Sequence, residues 1–339
     1  MPPANLNSES VKIDVHDSLE AVGPDAWDAL HARSRLRSPF LAWTWQRPWV
    51  EVFGEGRRLE LRRVVDDTGR LLALLPLVEV GPDRWLLTGG SDVSDYLDLI
   101  ALPDREEEAW AALLGARAGD RATWELHAVP AASPTVTAMP ALAAAVGLAV
   151  ETPVEERCPI LDLPDSWEAL LASLSRKHRH ELTRKLRRFE REAPEARLAW
   201  ASAPADVEAR LDAFLALHRR SREGKAKFMD ARMERFFRRA IPALAARGGA
   251  RLAFLDLPEG PIASFVTLEW DGTVGLYNSG FHPERAGLSP GLVLLAHVIR
   301  DAIARGRRRF DFLRGEERYK YEFGPIPEAV HAVTIGARA

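Results

Sequence analysis

Trp27-Asp28-Ala29-Leu30-His31-Ala32-Arg33-Ser34 recurs as Phe214-Leu215-Ala216-Leu217-His218-Arg219-Arg220-Ser221, sharing the pattern aromatic-x-Ala-Leu-His-x-Arg-Ser. Eight residues can match by chance in a chain rich in Ala and Arg, so the test is whether the sequence beyond each copy matches too. Each reaches a phenylalanine, Phe40 and Phe228, and then an aromatic-containing amphipathic stretch, Trp43 to Val52 and Met233 to Ile241. Leu59 to Asp66 and Leu71 to Val80 read as strands around the turn Asp67-Thr68-Gly69. Arg251 to Leu257 and Ile262 to Trp270 repeat that arrangement around Pro258-Glu259-Gly260. A further strand is expected at Arg84 to Thr88 and at Thr273 to Phe281. The latter starts from Asp271-Gly272, a hairpin turn whose two residues tolerate positive φ. Helical patterns Glu106 to Ala116 and Gly291 to Arg305 come next, then strands at Thr123 to His127 and Arg309 to Leu313. The expectation is an α/β (α+β) fold with a mixed sheet, one plan used twice around a cleft between the copies. The boundary falls near Pro153 to Pro164, giving modules 1–155 and 156–339, with a basic helix over 167–191 inserted in the second.

Length agrees, since 339 residues exceed one ordinary compact domain and give each half enough chain for its own core. A formal net charge of −3 supplies no global attraction to nucleic acid or membrane, so any anion site must be local. The single cysteine, Cys158, excludes an internal disulfide framework and a Cys-based metal cluster. The start MPPANLNSESVKIDVHD lacks a basic segment followed by an apolar one, and no later stretch has the apolar length of a membrane span. A cytoplasmic protein is expected.

The sharpest chemical signal is Gly287-Leu288-Ser289-Pro290-Gly291-Leu292, a turn of small residues leading from a strand into an apolar-faced helix. Backbone amides and the helix N-terminus there suit a phosphate; equally, Ser289 as N-cap and Pro290 at the first helical position are ordinary capping. The matching turn in the first half, Leu102-Pro103-Asp104-Arg105-Glu106-Glu107-Glu108, has no glycine and offers carboxylates, which repel phosphate. Phe310-Asp311-Phe312-Leu313-Arg314-Gly315-Glu316-Glu317-Arg318-Tyr319-Lys320 delivers polar groups to a sheet edge, as a site or as a salt-bridged turn. Ser175 to Phe189, including Arg176 and Arg179, forms a helix with apolar residues at 182, 186 and 189 and basic faces elsewhere, suited to a polyanion or simply solvated beside acidic partners. Gly89 to Asp98, with Asp95 and Tyr96, is either an amine-binding turn or a surface loop, and its spacing fits no calcium loop.

The run from Gly275 to Lys320, with its SPG turn and FDFLRGEERYK, resembles the GNAT domain of CelD-like acyltransferases, and SRKHRHELTRKLRRFE is similar to the helix that precedes it in that family. The resemblance covers roughly Ile160 to Gly324. PFLAWTWQRPWVEVFG and DVSDYLDLI are similar to the companion domain of longer members, and tandem GNAT modules are also the architecture of Fem-type aminoacyl-tRNA-dependent transferases. The resemblance implies two GNAT-like modules, only the second with a donor site, and an acyl-CoA co-substrate, acetyl-CoA or a longer one, with no metal. Its pyrophosphate would lie at Leu288, Ser289, Pro290, Gly291 and Leu292, beside a strand whose backbone near Tyr277-Asn278-Ser279 polarises the thioester. Asp311 and Glu316 are the base candidates, Tyr319 the acid with Tyr277 in reserve; Asn278, Arg314, Lys320, Arg176, Arg179, Asp95 and Tyr96 are candidates for holding a small or sugar-linked amine between the modules. The commoner GNAT phosphate signature begins with Gln or Arg and spaces its glycines more closely than Arg285-x-Gly287-Leu-Ser-Pro-Gly does. The alternatives are a Fem-like transferase that uses tRNA, or a GNAT fold kept as a binding module.

Overall fold

The computed structural model describes residues 11–117, 119 and 121–337; the N-terminal residues 1–10, inspected above for a leader, lie outside them. The chain divides into two compact units, one running to Glu156 and resuming at Ala329, the other Arg157–Glu328. The expected second module ran to residue 339; instead the closing strand from Ala329 on groups with the first unit. Among the described residues no helix is long and apolar enough to cross a membrane.

The first unit holds strands β1 (Lys12–His16), β2 (Leu59–Val65), β3 (Leu71–Gly81), β4 (Arg84–Leu87), β5 (Ile100–Ala101), β6 (Thr123–Pro130) and β7 (Leu148–Glu151). Its helices are α1 (Gly23–His31), α2 (Trp43–Phe53), α3 (Glu106–Gly115), α4 (Pro134–Thr137) and α5 (Met139–Ala145). The second contains β8 (Val154–Asp162, from Arg157), α6 (Trp167–Ser173), α7 (Arg176–Glu192), β9 (Arg197–Ala201), α8 (Pro204–Ser221), α9 (Glu223–Phe228) and α10 (Ala231–Ala245). It continues with β10 (Ala250–Leu257), β11 (Gly260–Trp270), β12 (Thr273–Phe281), α11 (Pro290–Ala304) and β13 (Arg309–Asp311), and β14 (Ile326–Ala337) returns to the first unit.

The strands of the two units pair on one plan. In the first, β1, β2, β3 and β4 pair antiparallel in order, β4 pairs parallel with β6, and β6 antiparallel with β14. In the second, β9, β10, β11 and β12 pair antiparallel, β12 pairs parallel with β13, and β13 antiparallel with β8. A parallel pair needs a crossover, supplied by α3 in one unit and α11 in the other. The two copies of the aromatic-x-Ala-Leu-His-x-Arg-Ser repeat occupy matching places: Trp27 and Phe214, Leu30 and Leu217, Ser34 and Ser221 are all buried, on α1 with the turn after it and on α8.

Local chemistry explains the elements that position the site. Both residues of Asp271-Gly272 have positive φ, the conformation a two-residue hairpin requires between β11 and β12. Val207, Leu211, Phe214, Leu215 and His218 recur at helical spacing on the buried face of α8. On α11 the buried face is broader, from Val293 through Ile303, because this helix crosses over the sheet's core. The basic insertion is two helices rather than the one expected over 167–191: Leu174 and Ser175 are extended, and the Ser175 hydroxyl accepts the His178 N–H at 3.2 Å to start α7.

Candidate active site

β12 and β13 stay paired only from Thr273 to Gly275, against Arg309 to Asp311. β13 ends there because Leu313 turns into a left-handed conformation (φ 56°) and its N–H donates to the Asp311 carboxylate at 2.7 Å. The rest of β12, Leu276–Phe281, continues alongside β11, with Tyr277 the extra residue of a bulge between Leu276↔Thr267 and Asn278↔Val266. A strand that outruns its parallel neighbour presents backbone groups along one edge.

α11 begins next to that edge. The helical turn Pro283–Leu288 ends at Ser289, whose left-handed backbone (φ 53°) redirects the chain into Pro290. Its carbonyl accepts the Val293 N–H at 3.1 Å, yet its hydroxyl makes no capping bond. The first-turn amides of Gly291 and Leu292 thus have neither an intrahelical partner nor a side-chain cap, and a Cβ on Gly291 would meet nothing within 4 Å. That is an anion-binding end without an anion of its own.

A pocket of about 320 Å³ opens there, lined by Ser289 to Leu292, by Phe265, Phe281 and Tyr319 on its apolar side, and by Lys185, Arg222, Lys225 and Glu317. Lys225 Nζ donates to both the carbonyl and, at 2.9 Å, the hydroxyl of Ser279 on the β12 edge. Burial, with the like charge of Arg222, pushes its pKa down to about 8. Burial opposes ionisation of Glu317, but its ion pair with Lys320 at 2.9 Å outweighs that and holds the carboxyl below its usual range. Burial raises the Tyr319 phenol well above its usual value, so it stays protonated. Because Lys320 already neutralises Glu317, the pocket carries an excess of positive charge.

Ser289, Pro290, Gly291, Leu292 and Tyr319, all singled out in the sequence, line this pocket. The other candidates lie elsewhere. Leu288 packs on the core. Asp311 is buried, with its carboxylate holding Leu313, and Glu316 is exposed and accepts the Tyr321 hydroxyl at 2.9 Å. Lys320 is buried and staples its own turn, donating to the carbonyls of Arg314 (2.8 Å) and Gly315 (2.9 Å), which accounts for Arg314 as well. Tyr277 stacks on Phe237 with ring centroids 5.7 Å apart, and Asn278 Oδ1 accepts from His218 Nε2 at 2.8 Å. Arg176 and Arg179 are exposed on the first turn of α7 and do not line the pocket. Asp95 and Tyr96 belong to the first unit, where Tyr96 is buried and its carbonyl accepts the Ser38 hydroxyl.

Arg222 and Lys225 escaped the sequence reading, which names Ser279 only for its backbone and Glu317 only within the stretch from Phe310 to Lys320. A signal existed: the repeat extends one residue further, to Ser34-Arg35 and Ser221-Arg222, and Lys225 comes one helical turn later. Among the described residues no group of His, Cys, Asp and Glu is placed to hold a metal.

Residues 176–321, which contain every pocket-lining residue, match the family model described as acetyltransferase (GNAT) domain. FemX superposes with a TM-score of 0.62 at 12% identity, covering 91% of this chain and 95% of that one. L-PGS from Bacillus licheniformis gives 0.57 at 13% identity, covering 93% and 92%. A tandem GNAT protein from the clavulanic acid biosynthesis pathway gives 0.50 at 14%, covering 97% and 100%. No curated protein matches the sequence. The chain has a tandem GNAT fold, and its pocket lies wholly in the unit whose residues match the acetyltransferase (GNAT) domain model.

Proposed function

We propose that the second unit is an acyl-CoA-dependent N-acyltransferase, acetyl-CoA being the first donor to test, acting on an amine. The observation that carries this reading is the meeting, in one pocket, of the uncapped amides of α11, the cations Lys185 and Arg222, and the free-running edge of β12, on which Ser279 engages Lys225. The cations and amides suit the donor's phosphates, and the strand edge suits its amide-bearing arm. An amine attacking the thioester builds negative charge on the carbonyl oxygen, which a backbone N–H of β12 near the Tyr277 bulge would stabilise. Tyr319, kept protonated by burial and lining the same pocket, is the group to protonate the departing thiolate.

Calorimetric titration and thermal shift with acetyl-CoA and longer acyl-CoAs test the donor. Binding is expected, and at a hundredfold excess over Kd it adds about 2.7 kcal/mol to apparent stability. Absence of binding by every acyl-CoA sinks the reading. Salt-sensitive binding of charged tRNA instead would favour an aminoacyl donor.

A further inference from the structure

We propose that Lys225 is the group that takes the proton from the incoming acceptor amine. This rests on the acyl-transfer reading above and concerns the half of the reaction that the donor contacts leave unassigned. An amine that reaches the pocket as an ammonium ion is no nucleophile until it loses a proton, so the site needs an acceptor with proton affinity near neutrality.

The pocket's other titratable groups do not fit that role. Asp311 and Glu316 lie outside it, the first committed to Leu313 and the second exposed with Tyr321. Glu317 is tied to Lys320 and its carboxyl is held below the usual range, a weak base. Tyr319 is already protonated, and Arg222 does not deprotonate. Lys185 is already engaged by two carboxylates, Glu181 at 3.6 Å and Glu322 at 3.8 Å.

Lys225 differs in geometry. A neutral amine has two N–H bonds and one lone pair, and Ser279 offers two acceptors, its carbonyl and its hydroxyl. With both hydrogens engaged on the β12 edge, the lone pair is left for a third partner, and the side chain lines the pocket. The charged groups facing it are Arg222 beside it at the start of α9, Lys185 from α7, and Glu317 with its partner Lys320 from the loop after β13. Tyr319 from that loop and His218 from α8 are uncharged, the first above its usual range, the second pushed down to about 4 by burial. Positive neighbours outnumber the one carboxylate, which favours the neutral amine.

The step balances. Acceptor R–NH₃⁺ passes one proton to Lys225 Nζ; the freed nitrogen attacks the thioester carbon and a C–N bond forms. The C–S bond breaks, the thiolate takes the Tyr319 proton, the second proton that nitrogen sheds as the amide forms restores the phenol, and Lys225 returns its proton to solvent.

Competitive acetic-anhydride labelling of the full chain across pH, read by peptide mass spectrometry, measures the proton affinity of Lys225 without any acceptor. A midpoint near 8 is expected; the midpoint of an ordinary lysine, about 10.4, overturns the proposal. Lys225→Met and Lys225→Arg are then compared in acetyl transfer to butylamine, monitored as released thiol. Both are expected to bind acetyl-CoA within about threefold of the parent protein and to lose about 100-fold in kcat, the typical worth of a general base. Arginine retains the charge and can donate to Ser279, so recovery of kcat in Lys225→Arg shows a structural role and overturns the proposal. If the parent protein binds no acetyl-CoA, the acyl-CoA reading fails by itself, and the labelling midpoint still decides whether Lys225 is a proton acceptor.

Discussion

The start of α3 in the first unit and the start of α11 in the second occupy the same place in the same topology, and they have opposite chemistry. In the first, Arg35, the residue after the repeat's serine, makes a 2.9 Å ion pair with Glu106, the first residue of α3. Asp98, Ser133 and Thr135 line what is left, a void of about 10 Å³, and Asp98 accepts hydroxyl hydrogen bonds from both Ser133 and Thr135. In the second, Arg222 comes after the matching serine, makes no ion pair among the described residues, and lines an open pocket in front of Pro290 and Gly291. The strands differ too: β4 stops at Leu87, directly after its three parallel pairs with β6, whereas β12 runs six residues past its own. The first unit has supplied its own anion and removed the edge; the second has left both free.

The sharpest way to break the second unit's version is at Gly280. A Cβ there would lie 2.5 Å from the backbone nitrogen of His218, so α8 sits directly against β12. The contact is locked by the Ser221 hydroxyl, which accepts the Phe281 N–H at 2.8 Å, whereas the matching Ser34 hydroxyl only closes its own turn onto His31 and Leu36. Gly280→Val is expected to cost about 3 kcal/mol, since it forces backbone apart in a packed core. A urea unfolding midpoint equal to that of the parent protein would show that α8 does not depend on this approach.

Next in size is Gly291→Glu, which gives α11 the carboxylate that α3 already has. No atom lies within 4 Å of the new Cβ, and a glutamate in a first helical turn is favourable, so thermal stability should not fall. Acetyl-CoA affinity is expected to drop by about 30-fold, roughly 2 kcal/mol of lost and reversed electrostatics at the pocket's anion end. Unchanged affinity by calorimetry would place the donor elsewhere.

The range of the forces involved decides how much of this could be read in the sequence. The order of elements was readable because hairpins, strand alternation and helix periodicity are local, and because the repeat let each half check the other; Asp271-Gly272 is such a signal. The start of α11 was readable for the same reason, since Ser289-Pro290-Gly291 fixes its own backbone. The polar side of the pocket was not. Lys225 lies over fifty residues from Ser279, and only the packing of α8 on β12 brings them together. Asp311 and Lys320 misled for a related reason: their charges, read as aimed at a substrate, are spent on the backbone of their own turn. The exchange of β14 into the first unit likewise leaves no local mark, because a strand's sequence does not name its partner.

The smallest effects separate two basic residues of α7, an element inserted between β8 and β9 that has no counterpart in the first unit. Part of its charge is neutralised on its own surface: Arg184 pairs with Glu181 at 2.8 Å, and Arg188 and Arg191 share Glu192. Such exposed pairs contribute little, so Arg188→Ala is expected to change stability by less than about 0.5 kcal/mol and to leave donor affinity alone. Lys185 is the residue of α7 that lines the pocket, contributing a charge across the cavity from the start of α11. Lys185→Ala is expected to weaken acetyl-CoA binding about fivefold, near 1 kcal/mol, because a cation whose charge two flanking carboxylates partly offset adds less than an unshared one. Equal losses for the two variants would mean that α7 contributes only a diffuse basic field, and the place of Lys185 at the pocket would carry no function.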